Sequence, residues 1–345
     1  MKFAKQVIDD LFKCYSVNAL KIDGKSHLIF AGEGPGVCRL YSGDHFQEKR
    51  TLWEGGGGTM SLVSVPDVEG YFFASKGFFS MVESENSAVY LMRYKDGTFS
   101  EEKIIDLPYL HRFEVFTLGG KRFFIGAALH SGKLDKEDWT KPGKIYVAEI
   151  PFDLDGEMHV DLQLLRDGLY KNHGFNRGVW QGREVAFTAS DEGVFAVIPP
   201  QEGNTNWMVE QIFSHPVSDV AAIDLDGDGE TEFALLSPFH GNQFAIYKNV
   251  KGRYVSVFTY PKKLDFYHAI YADTFNGVPS VIIGARKEDM DLFLVQYDPE
   301  TNTYQSHLID TGVGSSNARI VHSERGDLIM SANRQIDQAA IYTAL

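Results

Sequence analysis

Cysteine is scarce: Cys14 and Cys38 are the two in 345 residues, too few for a disulfide framework or a cysteine-rich zinc site. Positive charge is also in deficit. Lys and Arg number 33 against 47 Asp and Glu, a net charge of −14. No basic face is expected to neutralise phosphates, so nucleic acid is excluded as a partner. No apolar run approaches the ~18–20 residues that a membrane span needs, so no membrane association is expected. Met1 to Tyr15 has neither an uninterrupted apolar core nor a small-residue cleavage site, and does not read as a signal peptide. A cytoplasmic protein is the expectation. Familiar catalytic signatures are missing too: G-x-S-x-G, G-x-x-x-x-G-K, the dinucleotide fingerprint and H-E-x-x-H. Gly55 to Gly58 is a glycine run without the strand-to-helix setting of a phosphate loop. WD-type signatures are absent, which weakens a pure scaffold reading.

What the chain does have is strand chemistry, repeated. The 25 Phe and 16 Tyr favour strands over helices. A period in the forties points to propeller blades. One set of short apolar runs recurs seven times: Leu28 to Ala31, Tyr71 to Ala74, Phe123 to Ile125, Val185 to Thr188, Phe233 to Leu236, Val281 to Ile283 and Leu328 to Ser331. A second, alternating set follows it each time, from Val37 to Tyr41 through to Ala339 to Tyr342. Polar amphipathic runs such as Phe99 to Asp106, Trp207 to His215 and Tyr304 to Asp310 read as half-exposed outer strands. The last unit has no outer strand of its own. Residues Lys2 to Asp9 match Tyr304 to Asp310 in pattern and supply it. The expectation is an all-β, seven-bladed β-propeller closed by its N-terminal strand, one domain over 1–345, with Ser131 to Pro142 as an insertion in the third unit. The bland alternative is an open sandwich.

One unit carries an acidic loop. Asp224-Leu225-Asp226-Gly227-Asp228-Gly229-Glu230-Thr231-Glu232, followed by an apolar strand, resembles the Asp-rich loop of the FG-GAP/VCBS repeat family. The resemblance covers residues 216–249 and fades elsewhere. It implies a structural calcium ion, held by the side chains of Asp224, Asp226, Asp228 and Glu232 and the carbonyl of Glu230, since a hard cation wants six to eight oxygens. A tight Asp/Gly turn with no ion is the competing reading. Either way the loop lies away from the starts of the innermost strands and is structural.

In a propeller, ligands usually bind where the innermost strands start and where second strands join third ones. Aligning the innermost strands gives a polar column: Asn18, Ser61, Glu114, Asn176, Asp219, His268 and Asn317. His111 and His173 start their strands further out, so the histidines are expected staggered in depth. His130, His240, Arg286, Lys287 and Arg334 come from the second class of loops, and Arg112 and Arg177 from the first. Clustered histidines exchange protons near neutral pH. With a carboxylate they could also hold a divalent metal. Arg and Lys suit a carboxylate or a forming enolate. Several carbohydrate lyases and sugar dehydratases resemble this chain as propellers, which favours a sugar-derived substrate. The expectation is therefore a lyase or dehydratase acting on a keto-sugar or uronic-acid-like small molecule or oligosaccharide. His111, His173 and His268 would be its acid–base or metal group and Glu114 their carboxylate partner. Substrate binding is assigned to Asn18, Arg112, His130, Asn176, Arg177, Asp219, His240, Arg286, Lys287, Asn317 and Arg334. Two alternatives stay open: a non-catalytic propeller that binds a glycan or protein partner, and a glycoside hydrolase with Glu114 and Asp219 as its carboxylate pair. A water-filled polar channel with gap-filling histidines is the bland reading.

Overall fold

The computed structural model describes residues 1–156, 158–201 and 206–345, and every element in them is a strand except the 3-10 turn Arg334–Ile336. Seven four-stranded antiparallel sheets form a seven-bladed β-propeller. Among the described residues no helix is long and apolar enough to cross a membrane. The first strands of the sheets are Cys14–Ile22, Leu62–Ser64, Leu110–Leu118, Gly174–Trp180, Asp219–Ile223, Tyr267–Phe275 and Ser315–Ser323; the blades are numbered 1 to 7 in that order. The short apolar runs are the second strands. They are covered on both faces, as Leu28, Ile29, Phe30 and Ala31 are, which is why they read as continuous rather than alternating. Outer strands such as Thr303–Asp310 turn one face to solvent and keep a polar alternation.

Blade 7 is completed by the chain's own beginning. Phe3–Asp10 pairs antiparallel with Gln338–Ala344, from Phe3 opposite Ala344 to Asp10 opposite Gln338. The Lys5 ammonium meets Asp310 at 2.9 Å, and the buried Tyr342 hydroxyl donates to the same carboxylate at 2.8 Å. The strand therefore has side-chain anchors as well as a backbone ladder. The extra length of blade 3 sits between its strands, in 129–142 and, among the described residues, in 151–156 and 158–162; the second stretch lies outside the expected insertion.

By its contacts the chain forms two compact units: Met1–Tyr15, Gly174–Ala196 and Gln211–Leu345 in one, Ser16–His173 and Val197–Glu210 in the other. Each has its core between neighbouring blades. In the first, Phe244, Tyr260, Ile283 and Phe293 pack together, with Tyr260 and Phe293 stacked at 3.8 Å. In the second, Phe73, Leu91, Val115 and Phe124 do the same.

Three first strands share one irregularity that decides where side chains point. Leu110 pairs with Ala128 and Arg112 with Ala127, leaving His111 as an extra residue. Tyr267 pairs with Ala285 and Ala269 with Gly284, leaving His268. Ser315 pairs with Asn333 and Asn317 with Ala332, leaving Ser316. His111, His268 and Ser316 thus hold the same position in their blades, each in a β-bulge. This corrects the expected column. His268 precedes the position shared by Arg112, Ala269 and Asn317, and Glu114 lies two residues beyond it. The stagger in depth between His111 and His268 disappears with it. Such a bulge adds one residue without disturbing the apolar pattern on either side, so alternation alone slips past it.

Candidate functional site

Histidines gather at the starts of first strands in both units. In the unit containing blade 3, the imidazoles of His111 and His173 are buried with ring centroids 4.5 Å apart. Phe78 stands edge-on to His111 at 5.4 Å. His173 lies just before its strand, held by its amide on the Lys171 carbonyl at 2.7 Å.

The unit containing blades 5 to 7 builds a more ordered arrangement around His268. Its Nδ1 lies 2.6 Å from the Ser316 carbonyl oxygen. A carbonyl only accepts, so Nδ1 carries the proton and Nε2 keeps its lone pair. The Tyr15 hydroxyl lies 3.3 Å from that Nε2 and is placed to donate to it. The two bulges at His268 and Ser316 set up this line of carbonyl, imidazole and phenol. Against the other face of His268 lies His240, stacked at 4.8 Å and 15°. His240 takes a left-handed backbone conformation, φ 51°, and its amide donates to Ser218 Oγ at 2.8 Å. Phe266 stands edge-on to both imidazoles, 4.5 Å from His240 and 5.7 Å from His268. The Arg286 guanidinium lies over Phe266 at 4.9 Å and donates to Gln335 Oε1 at 3.0 Å; the Lys287 ammonium is 5.8 Å from the same ring. Two cations and two stacked imidazoles thus gather around one aromatic ring.

Other residues singled out from sequence serve the scaffold. Asn18 donates to Ser64 Oγ at 2.9 Å, and Asn317 to the Tyr15 carbonyl at 2.8 Å. Asp219 is buried and accepts the Phe175 and Val220 amides at 3.1 and 2.9 Å, tying blade 4 to blade 5. Arg177 pairs with Glu184 across its own hairpin at 2.6 Å. Glu114 is half-buried and accepts the amide of Val115 at 2.9 Å. Asn176 is buried in its strand, Arg112 is half-buried in its own, and Arg334 opens the 3-10 turn. His130 lies buried in the loop after blade 3's second strand, 4.6 Å from Tyr109. Sequence reasoning missed Tyr15. A tyrosine opening a strand passes for core, and its partner lies 253 residues away.

The acidic loop joins the first and second strands of blade 5. Asp224 accepts the amides of Gly227 and Gly229 at 2.8 and 2.9 Å. Buried Glu232 accepts the Leu225 amide at 2.7 Å, and the Glu230 amide goes to Asp228 at 2.9 Å. One carboxylate oxygen each from Asp224, Asp226 and Glu232 lies within 4.8 Å of the others. The cation that Asp226, Asp228 and Glu232 face belongs to the protein. The Lys248 ammonium ion-pairs with Asp228 at 2.7 Å, with Glu232 at 2.9 Å and with Asp226. Burial works against that charge, and the three carboxylates more than reverse it, holding Lys248 above the usual lysine range. The same lysine pulls Asp228 below the usual carboxylate range, while burial raises Glu232.

Comparison of the chain with protein-family models and with curated proteins gave no match, so it is the geometry around His268 and its neighbours that speaks to function.

Proposed function

We propose that the protein is a carbohydrate-active lyase or dehydratase. It would remove a proton next to a carbonyl of a keto-sugar or uronic-acid-like substrate and expel an oxygen from the neighbouring carbon. The observation that carries this reading is the line from the Ser316 carbonyl through His268 to the Tyr15 hydroxyl. A phenol against an imidazole of fixed tautomer is an acid–base pair ready for use. In the elimination, His268 Nε2 takes the phenol proton as the Tyr15 oxygen takes the carbon-bound one, and the C–O bond breaks with its electrons on oxygen. Tyr15 then delivers its new proton to this oxygen and recovers its own from His268 Nε2. Arg286 and Lys287, beside Phe266, supply the positive charge that a substrate carboxylate or a forming enolate needs. This assignment uses both ring nitrogens of His268 and so favours proton transfer over a metal there. The spacing of Asp224 to Glu232 supports reading blade 5 as an FG-GAP/VCBS-type repeat. Cys14 and Cys38, both buried and not joined in a disulfide, support a cytoplasmic setting.

One observation favours a non-catalytic binding propeller instead. Asn18, Asp219 and Asn317 spend their polar groups inside the protein, as they would where the polar column serves only the scaffold. The two readings separate in a turnover assay on keto-sugars and uronides, with the new C=C bond followed by ultraviolet absorbance. Tyr15→Phe and His268→Gln should each cost roughly 10²-fold or more in kcat with the melting temperature retained. Ligand binding by the wild type without turnover of any substrate in the panel establishes the binding module.

A further inference from the structure

The acidic loop has the carboxylate spacing of a calcium site, and a lysine in the middle of it. Asp226, Asp228 and Glu232 stand at alternate or near-alternate positions, the arrangement by which a loop converges several oxygens on one ion. An ion there would need six to eight oxygens at roughly 2.3–2.6 Å. The three carboxylates converge instead on the Lys248 ammonium. Both oxygens of Asp224 are turned to the amides of Gly227 and Gly229. Lys248 is not a wandering surface side chain. It projects from the third strand of blade 5, Phe244–Val250, and its side chain is 16% exposed, against 0% for Glu232. Tyr304 of blade 6 closes the group by donating to Asp226 at 3.4 Å.

We propose that Lys248 takes the place of a divalent ion, so that the loop is a clasp around a tethered cation and blade 5 is metal-independent. The ammonium sits where the carboxylates converge, and a dication added to the same nest would face both its charge and its bulk. A tethered cation has practical consequences. It is present at any calcium concentration, it is not removed by chelators, and it joins the loop to the third strand as a bound ion could not. The proposal does not depend on the catalytic reading, because none of these residues touches Tyr15, His240 or His268.

The test uses the full chain, by calorimetric titration with calcium chloride and by thermal melts in chelator or in millimolar calcium. The wild type should bind no calcium stoichiometrically and melt identically in both. Lys248→Met, which keeps the length and removes the charge, should melt several degrees lower in chelator and recover when calcium is added, because a ligand held only by the folded state stabilises it. Wild-type binding of one calcium per chain, lost in Asp226→Asn, overturns the proposal. So does a Lys248→Met protein that calcium leaves unmoved, since its nest then cannot take an ion. If Lys248→Met fails to fold, the wild-type titration alone decides.

Discussion

His130 shows how a single buried imidazole can make the fold sensitive to acid. Its Nδ1 accepts the Gly132 amide at 3.0 Å, which requires that nitrogen to be unprotonated. Burial pulls the group down to about 4 from its ordinary 6.5. A base whose folded pKa lies below its unfolded one takes up protons more readily when unfolded. Its contribution is therefore whole above about pH 6.5 and is lost as pH falls from there through about 4. Stability measured by denaturant should decline over that window, with up to about 3 kcal/mol traceable to this group. His130→Gln should flatten the slope between pH 7 and 4.5, and an unchanged slope would show that the imidazole does not titrate with unfolding. At this scale the sequence was partly legible. His111, His173, His240 and His268 could all be assigned to strand starts and loops. The partners that give them chemistry could not: the Ser316 carbonyl is backbone and Tyr15 looks like core. Lys248 likewise reaches Asp226 only because the strands between them fold into a meander.

Within single elements, Gly193, which begins the third strand of blade 4, has the closest Cβ contact among the described glycines. Its φ is 123°, a region that L side chains rarely adopt, and a Cβ there would lie 1.9 Å from the Phe213 carbonyl oxygen. The glycine lets the third strand of blade 4 start against the end of the fourth. Gly193→Ala should cost at least about 2–3 kcal/mol, from backbone strain together with a displaced outer strand, and chemical denaturation would measure it. A loss within experimental error would mean the outer strand yields easily. Strand existence was readable throughout, because second strands buried on both faces and outer strands buried on one leave different signatures. Register was not. The bulges at His111 and His268 add a residue that hydrophobicity does not mark, and that one residue decides whether an imidazole faces a partner.

For the molecule as a whole, the N-terminal strand decides whether the last sheet has an open edge. Removing residues 1–10 would strip the ladder from Gln338–Ala344 and take away the Lys5–Asp310 ion pair. The truncated protein should melt lower and associate through the exposed strand, as sizing chromatography would reveal; a monomer with an unchanged melting temperature would show the strand to be dispensable. Closure was legible because Lys2 to Asp9 repeats the outer-strand pattern and the final unit lacks one. That pairing also sets a timetable for synthesis. Phe3 is made long before its partner Ala344, which lies 341 residues further along the chain. The amide of Leu345 closes on the Lys2 carbonyl at 3.0 Å. Blades 1 to 6 can form as they emerge, while Phe3–Asp10 must wait unpaired until Gln338–Ala344 has been made. Such a distant contact is slow to form, and an unpaired strand edge invites association. Closing blade 7 is thus a late step of folding, a join between two segments made at widely separated times.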